Sequence, residues 1–263
     1  MIRHPAPLAV LIVTVLLGGC SSTPGPGKSK STATPSHEEG PDASRAAQIN
    51  VQLGLGYLQR GQKQAAADKL TRALEFDPRS PLANHAYALL QDVLGDTREA
   101  ERYFQRALEL DPKDAELLNN YGAFLCRDKR TDEGVEMLER AAANPLYATP
   151  EFAWSNIGQC RRQAGQLSEA EEALGKALKA NSRHASSWLQ LGEVQLALGQ
   201  PAKAHTSLQR YHALAPQDPA SLLLGARIER ALGNREAQGH YELLLRGKFP
   251  DSDETRRLGE MSR

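Results

Sequence analysis

Histidine, cysteine and glycine are the residue types in this sequence whose spacing could support catalysis or a metal site. The seven histidines form no H-E-x-x-H pair, which is the helical spacing that binds zinc. None of them accompanies a C-x-x-C motif. Gly54 and Gly56 resemble the start of a dinucleotide-binding loop, but the third glycine is displaced and no strand precedes them. The sequence therefore predicts no enzyme, no metal and no organic cofactor.

The N-terminus has the pattern of a bacterial lipoprotein signal. Arg3 precedes an apolar stretch, residues 8–17, which is too short to cross a bilayer as a helix, because roughly 20 residues are needed. L-G-G-C at residues 17–20 resembles the lipobox, in which Cys20 becomes the lipidated first residue of the mature chain. By resemblance to the sorting rule of that family, Ser21 implies the inner leaflet of the outer membrane, with the protein facing the periplasm. The alternative is an ordinary signal peptide that leaves Cys20 as a free thiol.

Cleavage of the predicted signal peptide, residues 1–19, would leave a mature chain with almost no net charge and a polar N-terminal segment. Its removal takes away Arg3, so 32 basic residues become 31 against 32 acidic ones, and the net charge is 31 − 32 = −1. A balance this close to neutral excludes an electrostatic nucleic-acid surface. Residues 20–46 are predicted to form a disordered tether, because they are rich in Ser, Thr, Pro and Gly. A coil of this length has a typical reach of about 25 to 30 Å.

A repeat of 34 residues organises the rest of the chain. F-D-P at 76–78 and L-D-P at 110–112 lie 34 residues apart, and A-L-E precedes each of them. The same spacing, with two additional residues in the third unit, continues to residue 250, and residues 251–263 form a C-terminal tail. The six units are 47–80, 81–114, 115–150, 151–184, 185–218 and 219–252.

Several positions of this repeat agree with one another. Position 15 is glycine in five of the six units, position 20 is small in five, and positions 24 and 27 are mostly apolar. A length of 34 with these positions resembles the tetratricopeptide repeat. The resemblance implies an all-α fold, a right-handed superhelix of about six helix-turn-helix repeats, that is, an α-solenoid.

Tetratricopeptide geometry also predicts a partner-binding face. In such arrays the first helix of each unit lines an inner groove, and apolar side chains left exposed there indicate a partner site. The alternative is that the N-terminal segment or the packing of the superhelix covers them. The apolar residues at the groove positions of units 1 and 2 are Val51, Leu55, Leu58, Leu82, Leu89 and Val93.

Units 3 and 4 place polar residues on the same face. Asn120 and Asn156 both occupy position 6, where an asparagine in peptide-binding tetratricopeptide grooves bonds the ligand backbone through its donor and acceptor groups. Arg127 and Arg162, at positions 13 and 12, are predicted to add contacts to a carboxylate. The alternative is that all four are solvated polar residues without a ligand.

The family geometry places Cys126 and Cys160 on adjacent, roughly parallel helices, at positions 12 and 10 of units 3 and 4. If lipid occupies Cys20, these are the two thiols that remain in an oxidising compartment. A disulfide between them is predicted, and it would close a loop of 34 residues. The alternative is a pair of buried thiols that behave as small apolar side chains.

Two segments resemble one family beyond the generic repeat: N-N-Y-G-A-F-L-C at 119–126 and N-P-L-Y-A-T-P-E-F-A-W-S-N-I-G-Q-C at 144–160. Together with the lipobox and about six units, they are similar to the PilF/PilW pilotin family of type IV pilus biogenesis lipoproteins. The resemblance implies a lipoprotein that helps subunits of the pilus secretin to reach the outer membrane and to multimerise there. One alternative keeps the fold but assigns it to another envelope assembly machine, for outer-membrane protein insertion or peptidoglycan synthesis. Another is an enzyme that the repeats merely carry, but only tether and tail lie outside the repeats.

Overall fold

The structure, a computed structural model, describes residues 41–261, and every regular element in that range is an α-helix. The helices are α1 (Pro41–Gln59), α2 (Lys63–Phe76), α3 (Pro81–Leu94), α4 (Thr97–Leu110), α5 (Ala115–Arg127), α6 (Thr131–Ala142), α7 (Pro150–Gln163), α8 (Leu167–Ala180), α9 (Ala185–Ala197), α10 (Pro201–His212), α11 (Pro219–Leu232), α12 (Arg235–Lys248) and α13 (Asp253–Met261). Helices α1 to α12 form six consecutive pairs. The prediction of an all-α tetratricopeptide solenoid is confirmed.

Short turns join the two helices of each pair, and the residue at position 15 forms each turn. All six of these residues have a positive φ, from 65° at Lys129 to 83° at Gly95. Glycine accepts this left-handed conformation at little cost because it has no Cβ. Lys129 adopts it as the one non-glycine residue with positive φ in the described chain.

The core lies between the helices of each pair and between neighbouring pairs. At position 24 each of the first five units places a large apolar side chain that is at most 2% exposed. These side chains are Leu70, Phe104, Leu138, Leu174 and Leu208. Alanine or glycine at position 20 lies one turn earlier on the same helix, and small side chains there let the two helices of a pair approach closely. Burial of these repeated positions holds each unit against the next.

The junction between units 3 and 4 contains the two additional residues. The side-chain oxygen of Asn144 accepts a hydrogen bond from the backbone N–H of Leu146 at 2.9 Å, and its amide donates to the carbonyl oxygen of Lys113 at 3.0 Å. The second of these bonds attaches the longer loop to unit 2. Pro150 then begins α7 in the first turn, where its missing N–H costs nothing.

A helical segment extends the repeat array at each end. Helix α1 begins at Pro41, six residues before the predicted start of unit 1, with Asp42 in its first turn, where a carboxylate is favourable. At the other end the tail forms α13, whose Leu258 is 1% exposed and packs against Leu222 and Leu245. The last repeat is therefore covered by a short helix.

None of the helices found in residues 41–261 is long and apolar enough to cross a membrane.

Candidate partner-binding groove

An open groove of about 400 Å³ lies on the first helices of units 1, 2 and 3. Its walls come from α1, α3 and α5, and most of its lining is apolar. The lining residues are Leu55, Leu58, Gln59, Leu82, His85, Ala86, Leu89, Asp92, Val93, Glu116 and Asn120. We call this surface the N-terminal groove.

Five of the predicted apolar residues lie in the N-terminal groove. Leu82 is 43% exposed and Val93 is 46% exposed, so both present apolar surface to water. Leu55, Leu58 and Leu89 are half-buried, and the first two also pack against the core beneath them. The described residues leave this apolar surface open, which is the feature that usually indicates a partner site.

Val51 is a correction to the predicted set. It is 1% exposed and packs with Leu70, Ala83 and Leu90, so it cannot contact a partner. The cause is the packing of α1 against the second helix of its own unit and against the next helix pair, which covers this side chain. The equivalent residue of unit 2, His85, is likewise only 5% exposed.

Polar side chains form a ladder that crosses three first helices. The amide of Asn156 donates to Asn119 Oδ1 at 3.0 Å, and the amide of Asn119 donates to Asn120 Oδ1 at 3.3 Å. The Asn120 amide is 3.0 Å from Nε2 of His85. The ladder therefore joins α7, α5 and α3 in one hydrogen-bonded row.

This ladder changes the interpretation of the two predicted asparagines. Asn120 already uses one N–H and one lone pair within the chain, and Asn156 uses one N–H. An amide group has two of each, so each residue keeps part of its capacity for a peptide backbone. Ligand contact at Asn120 and Asn156 remains a prediction, and the structure adds that both amides are held in place by neighbouring units.

The two predicted arginines lie beside carboxylates of neighbouring units. Arg127 forms an ion pair with Asp92, and Arg162 lies 3.6 Å from Glu193. Neither arginine lines the N-terminal groove. Both therefore compensate charges of the chain itself, and a contact to a ligand carboxylate would have to compete with these pairs.

The structure joins Cys126 and Cys160, whose Cα atoms are 5.4 Å apart. This separation is within the range that disulfide geometry requires. The pair connects α5 to α7 and lines a small cavity of about 50 Å³ that also includes Arg127 and Asn156. Oxidation of the pair in the living cell stays a prediction.

Comparison with known sequences identifies first the type of repeat and then the family of this chain. Models of the tetratricopeptide repeat match residues 81–114, 103–136 and 161–228. The type IV pilus assembly protein PilF of Pseudomonas aeruginosa is 32% identical over 215 residues, which are 82% of this chain and 84% of that protein. The chain belongs to the PilF/PilW family of type IV pilus tetratricopeptide proteins.

Solved structures agree with membership of the PilF/PilW family. The structure of Pseudomonas aeruginosa PilF is 30% identical and superposes with a TM-score of 0.73, over 84% of this chain and 99% of that one. The crystal structure of PilW, described as a widely conserved type IV pilus biogenesis factor, is 32% identical with a TM-score of 0.76. That comparison covers 81% of this chain and 97% of PilW. The resemblance seen in the sequence is confirmed.

The PilF/PilW scaffold of this chain presents surface for protein contacts. Within residues 41–261 no group of three or more His, Cys, Asp or Glu side chains could hold a metal ion. The predicted lipidation site, Cys20, lies outside the described residues.

Among the groove and ladder residues that sequence reasoning missed are His85, Glu116 and Asn119. His85 and Asn119 both stand at position 5, so the buried Val51 is the equivalent residue. Glu116 stands at position 2, as Leu82 does, and the frame placed it on the inner face. A search for polar as well as apolar residues at these positions would have found all three.

His85 is neutral in the folded protein. Burial lowers its pKa from the ordinary value of 6.5 to about 4, against a smaller opposite effect of the Asp114 carboxylate. A neutral imidazole has one ring nitrogen free to accept a hydrogen bond. That nitrogen, Nε2, is therefore the acceptor for the Asn120 amide, and the proton is on Nδ1.

We expect His85 to make the folded protein sensitive to acid. In the unfolded chain His85 binds a proton below about pH 6.5, whereas in the folded chain it does so only below about pH 4. The free energy of unfolding should therefore fall as the pH drops from about 6.5 to about 4 and should be unaffected by this group above that range. The difference of about 2.5 between the two pKa values corresponds to a loss of about 3 kcal/mol.

Urea unfolding at pH 7.5 and pH 4.5 measures this effect. His85→Gln should lose less stability between the two pH values than the wild type does. His240→Gln, which changes an exposed histidine of α12, should behave as the wild type. Burial also lowers the pKa of His184 and His212, so all three proteins keep some acid sensitivity. An equal loss in the wild type and His85→Gln would contradict the assignment.

Proposed function

We propose that this PilF/PilW-family protein is an outer-membrane pilotin, which binds secretin subunits and promotes their targeting to the outer membrane and their multimerisation. The N-terminal groove holds a segment of the secretin subunit. The observation that carries the proposal is the open apolar surface formed by α1, α3 and α5, with Leu82 and Val93 each more than two-fifths exposed.

Physical chemistry supports binding at this surface. Apolar side chains that cluster in a concave groove gain more from a partner than scattered surface residues do, because the groove removes water from several of them at once. Burial of one Leu or Val side chain contributes about 1.5 to 3 kcal/mol. Neighbouring repeats fix the groove walls, so little ordering cost opposes binding.

The lipid anchor is the second part of the proposal. In this proposal Cys20 is lipidated, and Ser21 at the next position directs the protein to the inner leaflet of the outer membrane. Several acyl chains give stable anchoring where a single chain does not. The tether predicted for residues 20–46, of which residues 41–46 belong to α1 in the structure, then allows the groove to meet secretin subunits away from the bilayer.

Substitution of the exposed groove residues tests the function. Leu82→Asp and Val93→Asp place a carboxylate where an apolar partner surface must dock, so each should weaken secretin binding by about 10-fold to 100-fold. The measurement is the amount of heat-stable secretin multimer in outer-membrane fractions of a complemented deletion strain. We expect most of the multimer to disappear with either variant.

Leu94→Asp is the matched control. Leu94 is 48% exposed on the same helix but does not line the groove, so secretin multimers should stay at the wild-type level. In the same strain Cys20→Ser should leave the secretin in the wrong membrane or unassembled. Normal multimers with folded Leu82→Asp and Val93→Asp proteins would refute the groove. Co-purification of outer-membrane insertion or peptidoglycan synthesis proteins without secretin would favour a different envelope machine.

A further inference from the structure

We infer that the N-terminal groove selects an apolar segment with a cationic side chain that docks beside Glu116. This inference rests on the proposed function, since it assumes that a partner segment occupies the groove. It adds the chemical class of that segment and the residue that recognises its charge.

The charged side chains that line the groove are all acidic. The lining contains two carboxylates, Asp92 and Glu116, and no Lys or Arg. Arg127 already pairs with Asp92, so that end of the groove is compensated. Glu116 is exposed and forms no ion pair with any residue in the range 41–261. Its negative charge is therefore left for a partner.

The remaining polar groups of the lining do not compensate Glu116. His85 is uncharged at neutral pH because its pKa is about 4. Asn120 is neutral and is held by His85 and Asn119. An anionic segment would thus be repelled by the unpaired Glu116 carboxylate, whereas a cationic segment would find in it a partner next to apolar surface.

The repeat geometry places the two carboxylates at opposite ends of the groove. Glu116 and Leu82 both occupy position 2, near the start of their helices, and Asp92 occupies position 12, near the end of α3. Ten residues of α3 separate Leu82 from Asp92, which corresponds to about 15 Å along a helix. A segment of about ten helical residues, or about five extended ones, spans this distance. Its apolar side chains cover Leu82, Leu89 and Val93.

Fluorescence anisotropy with synthetic peptides tests the inference. The probes are three fluorescein-labelled 12-residue peptides that share the same leucines and differ in their flanking residues, which are Lys, Gln or Glu. The full chain is held in phosphatidylcholine nanodiscs, and empty nanodiscs serve as the blank. We expect the Lys peptide to bind about fivefold more tightly than the Gln peptide and the Glu peptide to bind about fivefold more weakly.

Variants assign the preference to one carboxylate. Glu116→Gln should remove most of the advantage of the Lys peptide, and Glu116→Lys should reverse the order of the three peptides. Glu139→Gln, which neutralises an exposed carboxylate of α6 outside the groove, should keep the wild-type order. Added salt should reduce the preference but leave the binding of the Gln peptide nearly unchanged.

The outcomes separate this inference from the proposed function. Equal binding of all three peptides, or an unchanged order in Glu116→Gln, would overturn the charge selection while the apolar groove stands. No binding of any peptide above the blank, with a folded protein by circular dichroism, would overturn both. Binding in the expected order that disappears in Val93→Asp would support both.

Discussion

Replacing Gly122 with alanine should lower the free energy of unfolding by about 3 kcal/mol, at the upper end of the usual cost of an overpacked core. Gly122 lies in α5 where that helix touches α6. A Cβ atom added there would be 2.7 Å from the carbonyl oxygen of Gly134 and 3.1 Å from the backbone nitrogen of Leu138. Both obstacles are backbone atoms of α6, so no side-chain rotation relieves them. The two helices of unit 3 must move apart.

Gly175→Ala is the matched control. Gly175 is inside α8, and a Cβ added to it meets no atom within 4 Å. Alanine there should raise stability by up to about 1 kcal/mol, because it lowers the entropy cost of the helix. Urea unfolding followed by circular dichroism measures both variants. A Gly122→Ala protein as stable as the wild type would show that α5 and α6 do not meet as closely as the structure places them.

The same substitution should also affect the groove. Helix α5 carries Glu116, Asn120 and Cys126, so a displacement of α5 shifts one wall of the N-terminal groove. Peptide binding should therefore weaken in Gly122→Ala even under conditions where the protein remains folded. Gly175→Ala, which lies in unit 4 outside the groove, should bind as the wild type does.

Much of this fold follows from residues that repeat every 34 positions. Glycine at position 15, small residues at position 20 and large apolar residues at position 24 fix the turn, the approach of the helices and the core of each unit. Each is a local requirement, so a single sequence reveals it. Lys129 adopts the positive φ of the five glycines at position 15, because the two flanking helices fix the conformation of the turn.

The details that escaped prediction depend on contacts between units. The burial of Val51 depends on how closely α1 packs against the next pair. One of the two hydrogen bonds of Asn120 depends on His85, 35 residues earlier. Helix α13 packs through Leu258 onto Leu222 and Leu245. This contact lies outside the repeat, so no repeat position predicts it. The position of a residue in the repeat assigns it to one face of its helix, but it does not identify which residues of the neighbouring units contact it.

Loss of the bond between Cys126 and Cys160 should lower the free energy of unfolding by about 3 to 4 kcal/mol. The bridge closes a loop of 34 residues, and a loop of this length restricts the unfolded chain by about that amount. It also connects the two units on either side of the junction that contains the additional residues. In the folded protein both sulfurs are shielded, since Cys126 is 8% exposed and Cys160 is 1% exposed.

Two independent measurements check the disulfide. Urea unfolding of the Cys126→Ala, Cys160→Ala double variant should show the loss, and a reductant should destabilise the wild type by a similar amount without affecting the double variant. Labelling of unreduced, denatured wild type with a thiol reagent should leave both cysteines unmodified. Two labelled cysteines would mean that the pair is reduced. In that case only packing and the asparagine ladder would connect α5 to α7, and the double variant should be nearly as stable as the wild type, because alanine fills a small apolar site almost as well as an unbonded thiol.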